Sequence, residues 1–162
     1  MRKRAIYAGT FDPITNGHLD IIKRASLIFD EIVVAVAKSK EKRPLFSIEN
    51  RIKMVNKSIL DIKNVRVIEF SSLLVDLADR LDINIVVRGL RGVNDFEYEL
   101  HMGYANSSLK KELETVYLMS NLNNSFISSS LVRSLLQFKG EISHLVPKEI
   151  LEDIRENYVY TT

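Results

Sequence analysis

Four short segments of this chain hold the residue types that bind phosphate and stabilise charge on it. The first is Gly9-Thr10-Phe11-Asp12-Pro13 running on to Thr15-Asn16-Gly17-His18. An apolar stretch that ends in such a turn and feeds a helix N-terminus forms an anion site. Its backbone N–H groups face the ligand, and the helix dipole favours negative charge there. His18, in the first helical turn, can donate a ring N–H to the same anion. The dipole should also lower its pKa, making it a neutral donor and not a fixed cation. The second segment is the basic run Lys38-Ser39-Lys40-Glu41-Lys42-Arg43. By itself it reads as a solvated loop; its place after an apolar strand raises one of its lysines as a candidate anion ligand, and the sequence leaves open which. The third, Arg88-Gly89-Leu90-Arg91, offers two guanidiniums to a polyphosphate. Gly89 is expected to permit close backbone approach or a positive φ. Asp95, Glu97 and Glu99 are near enough in sequence to pair with those arginines instead. The fourth, Ser128-Ser129-Ser130, suits both a helix N-cap and a phosphate cradle. Together the groups fit a reaction in which oriented N–H donors and cations stabilise a five-coordinate phosphorus.

The elements that position these groups follow from apolar periodicity. Short β-branched runs predict strands over 4–8, 31–37, 65–70, 84–87 and 115–119. Helical spacing predicts helices over 18–29, 48–59, 72–80, 95–109, 129–138 and 148–157, with Pro147 as the N1 proline of the last. The runs Ile32–Val36 and Ile83–Val87 are almost continuously apolar, as expected of parallel strands covered on both faces. Alternating strands and helices give a doubly wound α/β fold, a five-stranded parallel sheet with helices on both faces. Each phosphate-binding segment then follows a strand or opens a helix on one edge of that sheet. Tyr98, Phe96 and Leu100 are expected in the helix core, with Glu99 able to point into the site. His101 and His144 lack partners at metal-ligand spacing.

Composition bounds the rest. At 162 residues, 46% hydrophobic and 27% charged, the sequence reads as one domain over 1–162 with a sizeable core. The 23 basic and 21 acidic residues leave a net charge of only +2, which argues against bulk binding to nucleic acid. There is no cysteine, which excludes thiolate catalysis and zinc–thiolate sites. Neither a leader-type apolar region nor a membrane-length run is evident, so a cytoplasmic location is expected.

Ala8-Gly9-Thr10-Phe11-Asp12-Pro13-Ile14-Thr15-Asn16-Gly17-His18 resembles the T/H-x-G-H signature of the nucleotidyltransferase superfamily. Arg88-Gly89-Leu90-Arg91, Asp95-Phe96-Glu97-Tyr98-Glu99 and Ser125-Phe126-Ile127-Ser128-Ser129-Ser130 narrow the resemblance to the bacterial phosphopantetheine adenylyltransferases, as does the length. It runs from Arg4 to about the final helix. The resemblance implies a Rossmann-like nucleotidyltransferase fold. It also implies that ATP and 4′-phosphopantetheine give dephospho-coenzyme A and pyrophosphate, with magnesium bound on the ATP phosphates. Attack on the α-phosphate would be direct and in line, without a covalent intermediate. His18 and Thr10 would stabilise the pentavalent state, with Lys42 and Arg91 as further catalytic groups. Thr10, Lys42, Leu74 and Arg88 match the family's phosphopantetheine contacts. Gly9, Thr10, Phe11, His18, Gly89, Leu90, Arg91, Glu99, Asn124, Ser125, Phe126, Ile127, Ser128, Ser129 and Ser130 match its ATP contacts. A hexamer of two trimers and coenzyme A as a feedback ligand are further implications. Two departures stand out: Ala8 replaces the proline many members carry, and Asn121-Leu122-Asn123-Asn124 lacks the tryptophan that some have.

Two other readings compete. Adenylyl transfer to nicotinate mononucleotide shares the serine-rich helix start, but Arg88–Arg91 with Asp95–Glu99 argues against it. A non-catalytic nucleotide-binding regulator would need the phosphate loops without His18 or an acceptor site.

Overall fold

The structure is a computed structural model that describes residues 2–38 and 43–158. Its strands are β1 (Arg4–Gly9), β2 (Glu31–Ala37), β3 (Val65–Phe70), β4 (Ile85–Leu90) and β5 (Glu114–Met119). They form one parallel sheet in the order β3-β2-β1-β4-β5. The helices are α1 (Asn16–Ile28), α2 (Ile48–Ser58), α3 (Leu74–Leu81), α4 (Val93–Leu109), α5 (Ser129–Gln137) and α6 (Leu151–Asn157). The doubly wound sheet expected from the alternating pattern is thus present.

Period-two alternation sorts the strand residues between two cores. Ala5 and Tyr7 of β1, Val34 and Val36 of β2 and Val87 of β4 pack with α1, α2, α5 and α6. Ile6, Ala8, Val33, Ala35 and Val86 face the other way, against α3, Ile83 and Leu113. The central strands are covered on both faces, which explains their unbroken apolar runs.

The chain reverses its winding between β1 and β4, and the ladder is weakest there. β1 registers with β2 over six residue pairs, but with β4 only at Ile6–Val86. Such a switch point leaves a crevice at the carboxyl ends of the strands.

Several boundaries differ from expectation. Arg88, Gly89 and Leu90 are strand residues, registered with Tyr117, Leu118 and Met119. The sequence suggested a loop because its apolar run stops at Val87; the β5 ladder carries the strand further. Pro147 is not the N1 residue of α6. It caps a short 3₁₀ turn, Lys148–Ile150, that leads into the helix. Phe96 and Tyr98 are exposed and not core, at 47% and 62%. Of the α4 side chains only Glu99 is buried among the described residues.

α4 is seated by one close approach. The Tyr117 hydroxyl of β5 donates to the Glu99 carbonyl at 2.9 Å, and a Cβ on Gly103 would lie 2.5 Å from that hydroxyl oxygen. Gly103→Ala is therefore expected to destabilise the protein by about 1–3 kcal/mol through overpacking. In a Tyr117→Phe background the clash goes and the better helix propensity of alanine remains. There the same change should be neutral or stabilising. Urea unfolding of the two single variants and the double variant checks this.

Candidate active site

The crevice is built around the turn that leaves β1. Phe11 carries its left-handed residue, with φ 49°, and no described glycine has a positive φ. For an aromatic side chain that conformation costs roughly 1–2 kcal/mol. It is held because the ring is buried, edge-on to Tyr7 at 5.5 Å and to His18 at 5.0 Å between centroids. The Asp12–Pro13 peptide that follows is cis.

Four carbonyl oxygens along this turn are taken up by side chains. Arg88 Nη1 donates to the Ala8 oxygen at 2.6 Å and Arg51 Nη1 to the Thr10 oxygen at 2.7 Å. Arg133 Nη1 donates to the Asp12 oxygen at 2.7 Å, and the Ser129 hydroxyl to the Pro13 oxygen at 2.8 Å. The Asp12 carboxylate accepts from the Leu45 and Phe46 amides at 2.8 and 2.9 Å. With these four acceptors bound, fewer carbonyl oxygens are left to repel an anion at the turn. Arg51, fully buried, also donates to Ala37 and Phe46 oxygens and so ties the end of β2 to the turn.

α1 begins at Asn16, two residues earlier than expected, because Thr15 is its N-cap. His18 occupies N3 and completes a reciprocal cap. The Thr15 side chain accepts from the His18 amide at 3.3 Å, and His18 Nδ1 accepts from the Thr15 amide at 3.1 Å. A backbone N–H can only donate, so Nδ1 carries no proton and Nε2 is the donor. The His18 pKa is lowered to about 4, first by burial and then by the Arg91 and Arg88 charges. The lowering matches expectation, but its cause is burial beside two guanidiniums, not the dipole invoked from sequence. Burial likewise pushes the Tyr7 hydroxyl up to about 12.

Two cavities open beside this turn. The larger, of about 350 Å³, is lined by His18, Phe11, Arg91, Arg133 and Ser128–Ser130 among others. The second, of about 200 Å³, is lined by Ala37, Phe70, Leu74, Met102 and Asn106 among others. They share Ala8, Gly9, Thr10, Arg88, Tyr98 and Glu99. Strand alternation explains the division. Gly89 faces α1, where a Cβ would sit 3.1 Å from Ile21, while Arg88 faces α4.

Both arginines have acidic partners. Arg88 makes a side-on pair with Glu99, Nε to Oε2 at 2.6 Å and Nη2 to Oε1 at 2.5 Å. Burial disfavours the Arg88 charge, but the Glu99 hydrogen bond and charge outweigh it and raise its pKa. Arg91 pairs with Asp95 at 2.8 and 3.2 Å and donates to the Ile127 oxygen at 3.1 Å. At the opening of α5, Ser128 accepts from the Leu131 amide at 3.0 Å and Ser130 from Arg133 at 3.1 Å. The first N–H groups of that helix have no carbonyl partner within it, and Ser128–Ser130, where it opens, line the larger cavity.

Of the residues singled out from sequence, Gly9, Thr10, Phe11, His18, Gly89, Arg91, Glu99, Ile127 and Ser128–Ser130 line the larger cavity. Leu74 lines the second, and Arg88 lines both. Leu90, Asn124 and Phe126 line neither. Ser125 lies in an adjoining open depression with Arg91 and Asp95. Lys42 falls outside the described residues. Lys38 and Arg43, which are described, line neither cavity. Sequence reasoning missed Arg51, Arg133, the anchoring role of Asp12 and the site position of Tyr98. Only Arg51 left a signal: a cation at position 51 interrupts the apolar face of α2 between Ile48 and Val55.

Residues 6–135 match the model of the cytidylyltransferase-like family. The chain is 56% identical over 154 residues to the phosphopantetheine adenylyltransferase of Nautilia profundicola, covering 95% of this chain and all of that protein. It is 58% identical over 155 residues to the Campylobacter concisus protein of the same name, covering 96% and 99%. The Campylobacter curvus protein of that name is 59% identical over 150 residues, covering 93% and 96%.

Nitrogen-15 NMR of the imidazole at pH 7 should show neutral His18 with the proton on Nε2 and no protonation midpoint between pH 5 and 8. A folded pKa below the unfolded 6.5 fixes the sign of the linkage. The stabilisation from neutral His18 is complete above pH 6.5 and declines as pH falls toward 4.

Proposed function

The chain belongs to the phosphopantetheine adenylyltransferases of the cytidylyltransferase-like family, and from that membership we propose how its own residues carry out the reaction. It transfers the adenylyl group of ATP to 4′-phosphopantetheine, giving dephospho-coenzyme A and pyrophosphate, a step of coenzyme A synthesis. The observation that carries the assignment of sides is the pair of cavities meeting at one wall of Ala8, Gly9, Thr10 and Arg88. The nucleotide occupies the cavity of His18, Arg91 and the α5 N-terminus. The pantetheine arm occupies the cavity of Leu74, Met102 and Asn106, and the reacting phosphates meet at the shared wall.

An acceptor-phosphate oxygen bonds to the α-phosphorus as the bond to the β-phosphate bridging oxygen breaks. Pyrophosphate departs with the electron pair. The attacking phosphate is already anionic, so positioning and charge stabilisation do most of the work and no strong protein base is needed. Neutral His18 donates from Nε2 to a non-bridging α-phosphate oxygen as negative charge grows there, beside Thr10. Arg91 and the first N–H groups of α5 hold the β- and γ-phosphates. Lys42, matched by resemblance, serves the acceptor phosphate with Arg88.

Magnesium held on the triphosphate oxygens would supply further neutralisation of their charge. Among the described residues no three His, Cys, Asp or Glu side chains converge. Asp95 and Glu99 at the cavity are engaged by arginines, so the donor set suits an ion held by phosphate oxygens. Coenzyme A carries both an adenine nucleotide and a pantetheine arm, and would compete as a feedback ligand across the same two cavities. Exposed apolar groups on α4 and at the β5 edge, among them Val93 at 84% and Met119 at 76%, support assembly of copies into a hexamer of two trimers. No helix among the described residues is long and apolar enough to cross a membrane, and we place the reaction in the cytoplasm.

Purified protein with ATP and magnesium should convert 4′-phosphopantetheine to dephospho-coenzyme A and pyrophosphate. Turnover of nicotinate mononucleotide alone would replace the acceptor assigned here, and nucleotide binding without turnover of either acceptor would mark a regulator. His18→Ala should lower kcat by about 10²–10³, as for loss of one preorganised donor, with little change in KM for either substrate. A near-normal kcat with a raised KM for ATP would make His18 a ground-state ligand.

A further inference from the structure

Tyr7 lines the larger cavity from the strand beneath it. The residue is only 5% exposed. Its hydroxyl has no hydrogen-bond partner among the described residues, in ring contacts or otherwise. Among those residues every fully enclosed side-chain oxygen or nitrogen has a partner. The Tyr7 oxygen is therefore not sealed in the core; it opens onto the cavity. Other hydroxyls nearby are engaged. Ser129 donates to the Pro13 oxygen at 2.8 Å, and Tyr117 to the Glu99 carbonyl at 2.9 Å. A nearly buried hydroxyl without a protein partner is a net cost to folding, and a phenylalanine would fill the same place without it.

Packing fixes where this hydroxyl lies. The ring is edge-on to Phe11 at 5.5 Å and tilted to His18 at 6.5 Å between centroids. The oxygen lies 4.0 Å from the place a Cβ on Gly89 would take. Tyr7 follows Ile6, the residue at which β1 registers with β4, so it stands where the sheet begins to part. The ring is thus beside His18 and the oxygen beside Gly89, on the wall of one cavity. Burial, aided by the Glu99 charge, pushes the hydroxyl pKa up to about 12 against the lowering by Arg88 and Arg91. At neutral pH the group stays a neutral donor, near the neutral donor His18 and the cation Arg91. Donors and cations gathered on one wall suit phosphate oxygens, which accept and do not donate.

We propose that the Tyr7 hydroxyl is a further nucleotide ligand, donating to a phosphate oxygen of ATP in the larger cavity. This rests on the placing of the nucleotide in that cavity made above. The bound phosphate supplies the partner that the fold withholds, so what the hydroxyl costs the free protein returns as affinity.

Because the hydroxyl has no protein partner, Tyr7→Phe separates binding from folding. Urea unfolding of the ligand-free variant should show a stability equal to or above wild type. Calorimetry should show ATP binding weakened by roughly ten- to a hundredfold, the loss of a hydrogen bond to a charged acceptor. Adenosine, which lacks the phosphates, should bind both proteins within about twofold, and so should 4′-phosphopantetheine. Steady-state kinetics should show kcat/KM for ATP lowered in step with ATP affinity, with KM for 4′-phosphopantetheine unchanged.

A less stable variant with normal ATP affinity would give the hydroxyl a structural role and overturn the proposal. So would ATP affinity and stability that are both unchanged. An equal loss for adenosine would move the contact to the nucleoside and overturn the phosphate assignment. A loss confined to 4′-phosphopantetheine would put the hydroxyl on the acceptor side and overturn it as well. A wild-type chain that binds ATP without turning over 4′-phosphopantetheine would instead overturn the acceptor assignment, and the Tyr7 contact would still be decided by the ATP and adenosine titrations.

Discussion

A backbone turn that binds anions must first dispose of its own carbonyl oxygens. Each peptide carries an acceptor as well as a donor, and an acceptor left facing the ligand repels phosphate. Here Arg88, Arg51, Arg133 and Ser129 draw off the oxygens of Ala8, Thr10, Asp12 and Pro13. A hydrogen bond from a charged donor contributes about 1.5–3 kcal/mol. That is enough for one such contact to offset the left-handed cost of Phe11. The same bonds tie β1, β4, α2 and α5 to one another, so the turn is also where those elements are pinned.

The charges of the site are arranged for a polyanion yet balanced among themselves. Arg88 and Arg91 each hold a carboxylate, Glu99 and Asp95, on the side of α4. Pairing limits the cost of burying a guanidinium and leaves N–H groups over for a ligand. Burial, and after it the charges of Arg91 and Arg88, keeps His18 neutral. In the proposed mechanism, neutrality suits a donor that must strengthen as charge develops on the α-phosphate. A permanent cation there would bind the ground state as well and contribute less to the barrier.

Topology supplies the two-sidedness. Alternate side chains of one strand point to opposite faces, so Arg88 reaches α4 while Gly89 meets α1. Because β1 and β4 share only the Ile6–Val86 register, the sheet parts beyond it. A single strand end can then serve a cavity on each face. The two cavities thus meet at their shared wall from opposite sides of the sheet.

The periodicity and residue types along the chain determined the parallel α/β fold and singled out segments that the fold gathers at one crevice. Continuous β-branched runs need burial on both faces, and Gly9–His18, Arg88–Arg91 and Ser128–Ser130 have few other uses in that order. The pattern could not show where β4 ends, because the ladder with β5 extends the strand through Arg88–Leu90 after the apolar run has stopped. Nor could it show that Phe96 and Tyr98 are exposed, since an apolar residue on a helix reads the same whether the chain itself or something else covers it. Above all, sequence left open which acid each arginine holds. Asp95, Glu97 and Glu99 were all within reach of Arg88 and Arg91. The choice depends on where α4 sits, and the Tyr117 hydroxyl of β5, bonded to the Glu99 carbonyl and close against Gly103, helps to set that position. Pairings that depend on rigid elements meeting across a sheet are set by packing, and packing belongs to the tertiary structure alone.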